Sequence, residues 1–193
     1  MRKVCFIVMA GYIVIPSVSV ASDYGLGVSI KSSDVSVYLP IRVSESLLVE
    51  PYFRFFSYDD SKSGAATSQD NSSTTYDIGA GVFRILDSTN NLSPYYGARI
   101  GYVNRESNYE SRYSSGSWGS ESTSRGFSIA PAIGVKYSFY ENISVGFEAE
   151  WSYVKLDNDG VDKSIGIAPS SDGTNGSQTS SGTNTKIIIR YFY

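Results

Sequence analysis

Residues 127–139 read Phe-Ser-Ile-Ala-Pro-Ala-Ile-Gly-Val-Lys-Tyr-Ser-Phe, and every second residue of this stretch is apolar or aromatic. The residues between them are Ser, Ala, Gly and Lys. A side-chain period of two is typical of a β-strand, because successive side chains point to opposite faces. The stretch therefore predicts a strand with one apolar face that carries no charge and one small or polar face.

The same alternation recurs in seven other segments of the chain, and no segment shows a helical period. These further strands are predicted over 24–30, 35–43, 47–55, 76–82, 94–102, 143–153 and 187–193. Eight alternating strands joined by turn-rich connections indicate an all-β fold. We predict an eight-stranded antiparallel transmembrane β-barrel. A further short strand over 164–169 leaves a ten-stranded barrel open as the alternative.

The predicted connections fall into two length classes. Those at 44–46, 87–91 and 140–142 are short, whereas those at 59–75, 104–125 and 155–183 are long, polar and rich in Ser, Gly, Asn and Thr. The short connection at 32–34 departs from this rule. Short turns at one end and long loops at the other are typical of outer-membrane barrels, whose long loops lie outside the cell.

The next question is which face of the predicted barrel points outward. About forty large apolar side chains lie on the apolar faces, whereas an eight-stranded barrel has room inside for only a modest filling. Outside, these side chains would need lipid. A charge facing lipid costs roughly 2–4 kcal/mol at the midplane, and the apolar faces carry none. The alternative, a soluble lipocalin-like binder in the periplasm, would turn these side chains inward.

The opposite faces combine glycine with charges of both signs, which suits a narrow polar lumen. The predicted lumen ion-pair network consists of Arg42, Glu50, Arg54, Asp77, Arg99, Lys136, Glu148, Glu150, Lys186 and Arg190. Lys31 is a further basic residue at such a position. Because buried charges must be paired, the network could form a closed plug. A narrow water path lined by charge is the other interpretation.

The first 21 residues have the pattern of a secretory signal peptide. Arg2 and Lys3 precede the apolar run 4–15, and small residues at Ser19 and Ala21 form a cleavage site. The apolar run is shorter than the ~20 residues that a membrane-spanning helix needs. We expect cleavage near Ala21, export to the periplasm, and a barrel domain over 22–193.

Cleavage would leave 14 basic and 19 acidic residues, a formal charge of −5. This excess of acid argues against nucleic acid as a partner. The single cysteine, Cys5, would leave with the signal peptide, so no disulfide or cysteine metal site is expected. We expect no cofactor.

The C-terminal strand presents Ile189, Tyr191 and Tyr193 at alternate positions. This arrangement resembles the last strand of outer-membrane barrels, which typically ends on an aromatic residue that the assembly machinery recognises. We therefore expect these three residues to act as an assembly signal, with the barrel-assembly machinery and outer-membrane lipid as partners.

Several stretches together resemble a known family. They are 37–42 (Val-Tyr-Leu-Pro-Ile-Arg), 48–51 (Leu-Val-Glu-Pro), 94–102 (Pro-Tyr-Tyr-Gly-Ala-Arg-Ile-Gly-Tyr), 130–137 (Ala-Pro-Ala-Ile-Gly-Val-Lys-Tyr) and 141–148 (Glu-Asn-Ile-Ser-Val-Gly-Phe-Glu). The predicted mature chain looks like the small outer-membrane β-barrel domain family of Gram-negative bacteria, which includes opacity-type surface antigens and OmpA- or OmpX-like barrels. The resemblance implies fold and location, and little about activity.

Histidine is absent from the whole sequence. Ser-His-Asp hydrolysis needs an imidazole to accept and return a proton, so that chemistry is excluded. The carboxylates of Glu148 and Glu150 lie two residues apart on one strand face, and we expect them to pair with Lys136, Arg54 or Arg99 rather than to catalyse a reaction. We predict that the protein is not an enzyme.

The long loops carry no recognisable motif, and two interpretations remain for them. They could simply be solvated cover, or they could recognise an extracellular ligand through Tyr109, Tyr113 and Trp118, because aromatic side chains anchor contacts well. We predict a structural or surface-interaction role through these loops. A narrow porin-like channel for ions or small solutes is the alternative function.

Overall fold

The computed structural model describes residues 23–30, 35–64, 67–87, 90–113, 116–165 and 175–193. The predicted signal peptide, its cleavage site near Ala21, and Lys31 lie outside these ranges, as do residues 166–169 of the suggested extra strand. No helix within the described ranges is long and apolar enough to cross a membrane.

Nine strand elements follow one another in the described part of the chain. They are β1 (Asp23–Ile30), β2 (Val35–Tyr38), β3 (Ile41–Ser44), β4 (Leu47–Ser63), β5 (Thr67–Ile85), β6 (Leu92–Tyr113), β7 (Gly116–Ser138), β8 (Ile143–Ile165) and β9 (Asn175–Phe192).

The strands close into a ring. Each strand from β4 to β9 pairs antiparallel with the next, and β9 pairs with β1 from Gly25 opposite Phe192 to Ile30 opposite Ile187. Both β2 and β3 lie between β1 and β4, so they are two halves of one barrel strand. The prediction of an eight-stranded antiparallel barrel is therefore confirmed. Closure leaves no open sheet edge, which a structure within lipid requires.

Proline causes the break between β2 and β3. Pro40 has no N–H to donate to the hydrogen bonds between strands, and Leu39 and Pro40 belong to neither strand. Two backbone bonds of 2.9 Å still tie this break to its neighbours, from Leu39 N to Pro51 O and from Gly25 N to Pro40 O. The barrel wall thus stays closed although the ladder is interrupted.

Pro131 has a milder effect on the pairing of β7 with β8. Pairing runs to Ile129 opposite Tyr153 and resumes at Ala132 opposite Glu150, with no change of register. The proline therefore interrupts two pairs without shifting the strand, so the alternation of residues 127–139 continues across it.

The polar segments predicted as long loops are largely strand, which corrects the sequence-based expectation. β4 extends to Ser63, and β5 begins at Thr67. Likewise, β6 extends to Tyr113, and β7 begins at Gly116. A strand needs only about 11 residues to cross a membrane, and β6 has 22. Beyond the membrane both faces of a hairpin meet water, so the polar–apolar alternation that reveals a strand disappears there.

The two ends of the barrel therefore differ. We call the end with connections 45–46, 86–91 and 139–142 the turn end, and the end to which the extended strands project the hairpin end. Large apolar side chains cover the outer surface between the two ends. In the isolated chain, four of them are each more than 60% exposed: Phe127, Ile133, Ile100 and Ile78. This surface is the one that lipid would cover.

Candidate functional site

Arg99 lies at the centre of the lumen and forms ion pairs with glutamates of two other strands, β4 and β8. Its Nη2 donates to Glu50 Oε2 at 3.0 Å and to Glu148 Oε2 at 3.1 Å, and its Nη1 donates to the second oxygen of Glu148. Arg99 is 1% exposed, and both glutamates are completely buried. Side chains from β4, β6 and β8 thus meet across the barrel axis.

Arg190 of β9 binds Glu50 from the other side. Its Nε donates to Oε1 at 2.5 Å and its Nη2 donates to Oε2 at 3.2 Å. Such bidentate geometry is the strong form of a guanidinium–carboxylate pair. Glu50 therefore bridges two arginines.

The network continues toward the hairpin end through Glu150. Lys186 Nζ lies 2.7 Å from Glu150 Oε2 and 3.1 Å from Glu148 Oε1. Arg54 lies 3.5 Å from Glu150 Oε1 and 3.7 Å from Asp77 Oδ2. Tyr52 donates its hydroxyl to Asp77 Oδ1 at 3.1 Å. The two carboxylates two residues apart on β8 are thus occupied by cations.

These contacts join eight of the ten residues that the sequence assigned to the lumen. Their formal charges cancel, because four are acidic and four are basic. They are Glu50, Asp77, Glu148, Glu150, Arg54, Arg99, Lys186 and Arg190. We call this set the lumen network. A buried network of this kind is stable only when each charge is compensated.

Two of the predicted members lie outside the lumen network, which corrects that expectation. Arg42 pairs with Asp23 instead, at 2.6 Å, and its guanidinium lies 4.4 Å from the ring centre of Phe192. Lys136 makes no ion pair with any residue that the structure describes. It makes no ion pair with Glu148 or Glu150, and its partner in the register is Gly146, two residues closer to the turn end than Glu148.

The inner face also carries apolar and aromatic side chains, which the sequence analysis missed. One buried cluster lies toward the turn end and consists of Leu48, Phe83, Ile85, Tyr95, Ala132 and Phe192. A second one consists of Tyr38, Tyr52 and Ile188. Phe83 and Tyr38 also flank Arg99, with ring centres 4.5 and 5.4 Å from its guanidinium carbon. Rings and ion pairs together fill the lumen.

The signal for these rings was present in the sequence. Tyr38 lies between the outward Val37 and Leu39, and Tyr95 lies between Pro94 and Tyr96, so alternation alone places both on the inner face. Glycines facing these rings make room for them: a Cβ at Gly134 would lie 2.5 Å from the Tyr95 ring, and one at Gly27 would lie 3.2 Å from Tyr38 Cβ. Pairing inner glycines with inner rings would have identified a filled lumen.

Outside the membrane span, the hairpin of β6 and β7 brings two predicted contact residues together. The rings of Tyr109 and Trp118 pack edge to face with their centres 5.3 Å apart. Tyr113 lies at the end of β6 and is half-exposed, and within the described residues its ring packs against neither of these two. A cavity of about 300 Å³ opens beside the pair. Its lining consists of Asp70, Ser72, Asn108, Tyr109, Glu110, Ser117, Trp118, Gly119, Ser120 and Glu121.

We call this the hairpin cavity, and it has an acidic character. Three of its lining residues are carboxylates, Asp70, Glu110 and Glu121. Arg112 donates to both oxygens of Glu110, at 2.7 and 3.0 Å, and so holds the pKa of that carboxyl below its usual value. Glu110 therefore stays ionised over the whole physiological pH range.

A second cavity, of about 340 Å³, is lined by residues of β6, β7, β8 and β9. Serines and amides dominate its lining, which includes Ser122, Ser124, Asn158 and Gln178 together with Arg105. No group of three or more carboxylates, histidines or cysteines that could hold a metal occurs within the described residues.

At the turn end, the three residues of the predicted assembly signal lie on the outer face. Ile189 and Tyr191 are about two-fifths exposed, and Tyr193 is more exposed still. The Tyr191 and Tyr193 rings pack edge to face at 5.2 Å, and Tyr193 N donates to Tyr24 O at 2.8 Å. Tyr191 and Tyr193 are thus exposed on the outer face at the turn end.

Comparisons with known proteins agree with this architecture. The family model described as "Opacity family porin protein" matches residues 10–168. None of the curated protein sequences matches the chain. Among solved structures, a major outer membrane protein from Thermus thermophilus aligns with a TM-score of 0.53 at 10% identity, over 90% of this chain and 100% of that one.

Two further solved structures are similar to this chain. Acinetobacter baumannii CarO2 aligns with a TM-score of 0.50 at 10% identity, over 89% of this chain and 98% of that one. Neisserial surface protein A aligns with a TM-score of 0.45 at 17% identity, over 89% and 94%. At such identities the likeness concerns the fold.

Proposed function

This chain belongs to the opacity family of porin proteins of the outer membrane, and we propose that it is a non-enzymatic surface-recognition protein. In this proposal the extended hairpins bind an extracellular ligand, and the barrel anchors them. The observation that carries the proposal is the hairpin cavity, where the Tyr109 and Trp118 rings meet beside three carboxylates.

The chemistry of the hairpin cavity favours a ligand with a positive charge next to an apolar surface. Aromatic faces attract cations and pack against apolar groups. Asp70 adds negative charge at the same place, whereas the charge of Glu110 is compensated by Arg112, which binds both of its oxygens. Amines and quaternary ammonium groups on cell surfaces have this combination of features.

The filled lumen supports a role at the surface rather than through the barrel. Arg99, Glu50 and Arg190 meet on the axis, and the Phe83 cluster lies between them and the turn end. A path for solutes would have to displace compensated charges and buried rings. A narrow channel is the alternative function, and the term porin in the family description favours it.

Trp118 allows a direct test of ligand binding. The chain has two tryptophans, and the other, Trp151, lies on the outer apolar face. We would refold a Trp151→Phe protein and follow Trp118 emission during titration with choline, glucosamine and tetralysine. The proposal predicts a saturable change with at least one of these cations, weakened by Asp70→Asn.

The matched control is a Trp118→Phe protein, which keeps only Trp151 and should not respond. Two results would contradict the proposal: the absence of a saturable response to any of the three probes, or an equal response in both single-tryptophan proteins.

Processing and assembly form a second part of the proposal. We propose that the segment 1–21 is removed near Ala21 during export. Outer-membrane lipid and the barrel-assembly machinery are the proposed partners of the outer face and of Ile189, Tyr191 and Tyr193, and nucleic acid is not among the proposed partners. The exposure of the last two tyrosines is compatible with recognition during assembly.

A further inference from the structure

Two buried polar atoms without a hydrogen-bond partner and one lysine without an ion pair lie at the turn end of the described lumen. Within the described part of the chain, Arg190 Nη1 and Ser144 Oγ are buried and lack any hydrogen-bond partner. Lys136 is 9% exposed and likewise makes no ion pair there. Buried donors of this kind are almost always satisfied in folded proteins, so the three together need an explanation.

The strand register brings the three donors into one place. Lys136 lies directly opposite Gly146, and Ser144, two residues earlier on the same face of β8, lies opposite Arg190. A Cβ at Gly146 would come within 2.9 Å of Arg190 Nη1. Arg190 Nη1 therefore faces Gly146, and the Tyr95 hydroxyl lies 3.4 Å from the same Cβ position. Lys136 stands opposite Gly146 on the neighbouring strand.

The carboxylates of the lumen network are not left to compensate Lys136, because each of them is paired with another cation. The oxygens of Glu50 accept from Arg99 and Arg190, and those of Glu148 accept from Arg99 and Tyr95. The guanidiniums of Arg42 and Arg190 act on Lys136 electrostatically, and both carry the same sign. Arg42 is itself neutralised by Asp23.

The charge balance of the lumen gives the same result. The lumen network is neutral, with four acids and four bases, and the Arg42–Asp23 pair is neutral as well. Among these described residues, Lys136 therefore leaves one positive charge in excess on a side chain that is only 9% exposed. Burial of an uncompensated charge is costly, so such a position favours a counter-ion.

We propose that the turn end of the lumen holds one compact monovalent anion, bound by Lys136 Nζ, Arg190 Nη1 and Ser144 Oγ. A halide or a small carboxylate fits this donor set, because each carries one negative charge and accepts several hydrogen bonds. The anion completes the neutrality of the lumen and links β7, β8 and β9. Its site is separate from the hairpin cavity and does not depend on the function proposed for it.

Anion-dependent stability tests the site. We would refold residues 22–193 in a neutral detergent and measure the thermal unfolding midpoint. Sodium chloride or sodium acetate would replace sodium isethionate, whose bulky sulfonate does not fit, at constant ionic strength. The proposal predicts a saturable rise in the midpoint with at least one of the two compact anions.

Matched variants separate the site from general salt effects. Lys136→Met should abolish the anion dependence, whereas Lys62→Met, on an outer hairpin, should retain it. Ser144→Ala keeps the charge and removes one hydrogen bond, so it should weaken the apparent affinity by about tenfold. If Lys136→Met responded to chloride and acetate like the unchanged protein, or if neither anion acted differently from isethionate, the proposal would be overturned.

Bromide gives a second readout that does not depend on stability. Crystals grown in sodium bromide should show an anomalous peak between Lys136 and Arg190. A peak elsewhere in the lumen, or no peak there, would contradict the assigned position.

Discussion

Glu50 and Arg190 lie 140 residues apart in the sequence and bind each other across the lumen through two hydrogen bonds of 2.5 and 3.2 Å. Glu50 belongs to β4 and Arg190 to the last strand, β9, with β1 and the split β2–β3 strand between them in the ring. The pair can form only when the barrel has closed. Closure of the backbone and completion of the lumen network are therefore coupled.

Removal of the Glu50 charge should destabilise the barrel strongly. Glu50→Gln would leave both Arg99 and Arg190 short of a buried counter-charge, and breaking a buried ion pair costs about 3–5 kcal/mol. Urea unfolding of the refolded protein in detergent would measure the loss. Glu110→Gln is the control, because its partner Arg112 is exposed and surface pairs contribute little. Equal effects of the two variants would contradict the central role of Glu50.

A charge on the outer face should be costly only near the middle of the membrane. Ile133, 66% exposed on the isolated chain, lies near the centre of the outer apolar surface. Ile133→Lys should lower the free energy of unfolding in lipid vesicles by about 2–4 kcal/mol, and Phe139→Lys, beside the turn end, by ~1 kcal/mol or less. A cost at Phe139 as large as that at Ile133 would argue against this orientation in the membrane.

Inner glycines should not tolerate a methyl group where a ring or carboxylate faces them. Gly101→Ala would push against Tyr52 and Asp77, and overpacking of this kind costs about 1–3 kcal/mol. Gly182→Ala is the matched control, since no heavy atom lies within 4 Å of the added carbon. Denaturant unfolding would compare the two. Equal stability of both variants would mean that the lumen is loosely packed at Tyr52.

The predicted assembly signal can be separated from general aromatic anchoring. Tyr193→Ser should reduce the amount of folded protein in the outer membrane while export to the periplasm continues. Tyr140→Ser removes another exposed aromatic residue, 72% exposed at the same end of the barrel, and should have a smaller effect. A heat-modifiable band on a gel of membrane fractions measures assembly. Normal membrane levels of the Tyr193 variant would count against the signal.

The strongly periodic parts of the chain could be predicted from the sequence because lipid imposes a strict rule on them. Ile133 must face apolar surroundings and Gly134 must not obstruct the lumen, so the alternation of 127–139 is visible in the sequence. No such rule acts on 104–113, where both faces meet water, and these strand residues were predicted as loop. The same reason hid the length of β4 and β5.

The sequence predicts that charged residues face the lumen, but it predicts only some of the contacts between them. Alternation places Arg99 and Glu148 on the inner face, but it contains no information on axial distance, so Lys136 was grouped with carboxylates that it does not reach. The inner rings of Phe83 and Tyr38 were overlooked because aromatic residues also cover the outer face. The approach of Tyr109 to Trp118 depends on the turn between β6 and β7, which alternation does not determine.

A lumen filled by rings and ion pairs should be closed, which leaves the hairpin end as the place where the protein acts. Planar-bilayer conductance of refolded residues 22–193 tests this directly, with a Phe83→Ala/Arg99→Ala variant as the control that should conduct once ring and charge are removed. The unchanged barrel should be silent, while the variant should give discrete steps. Reproducible discrete steps from the unchanged barrel would contradict a closed lumen and make the channel the function to pursue.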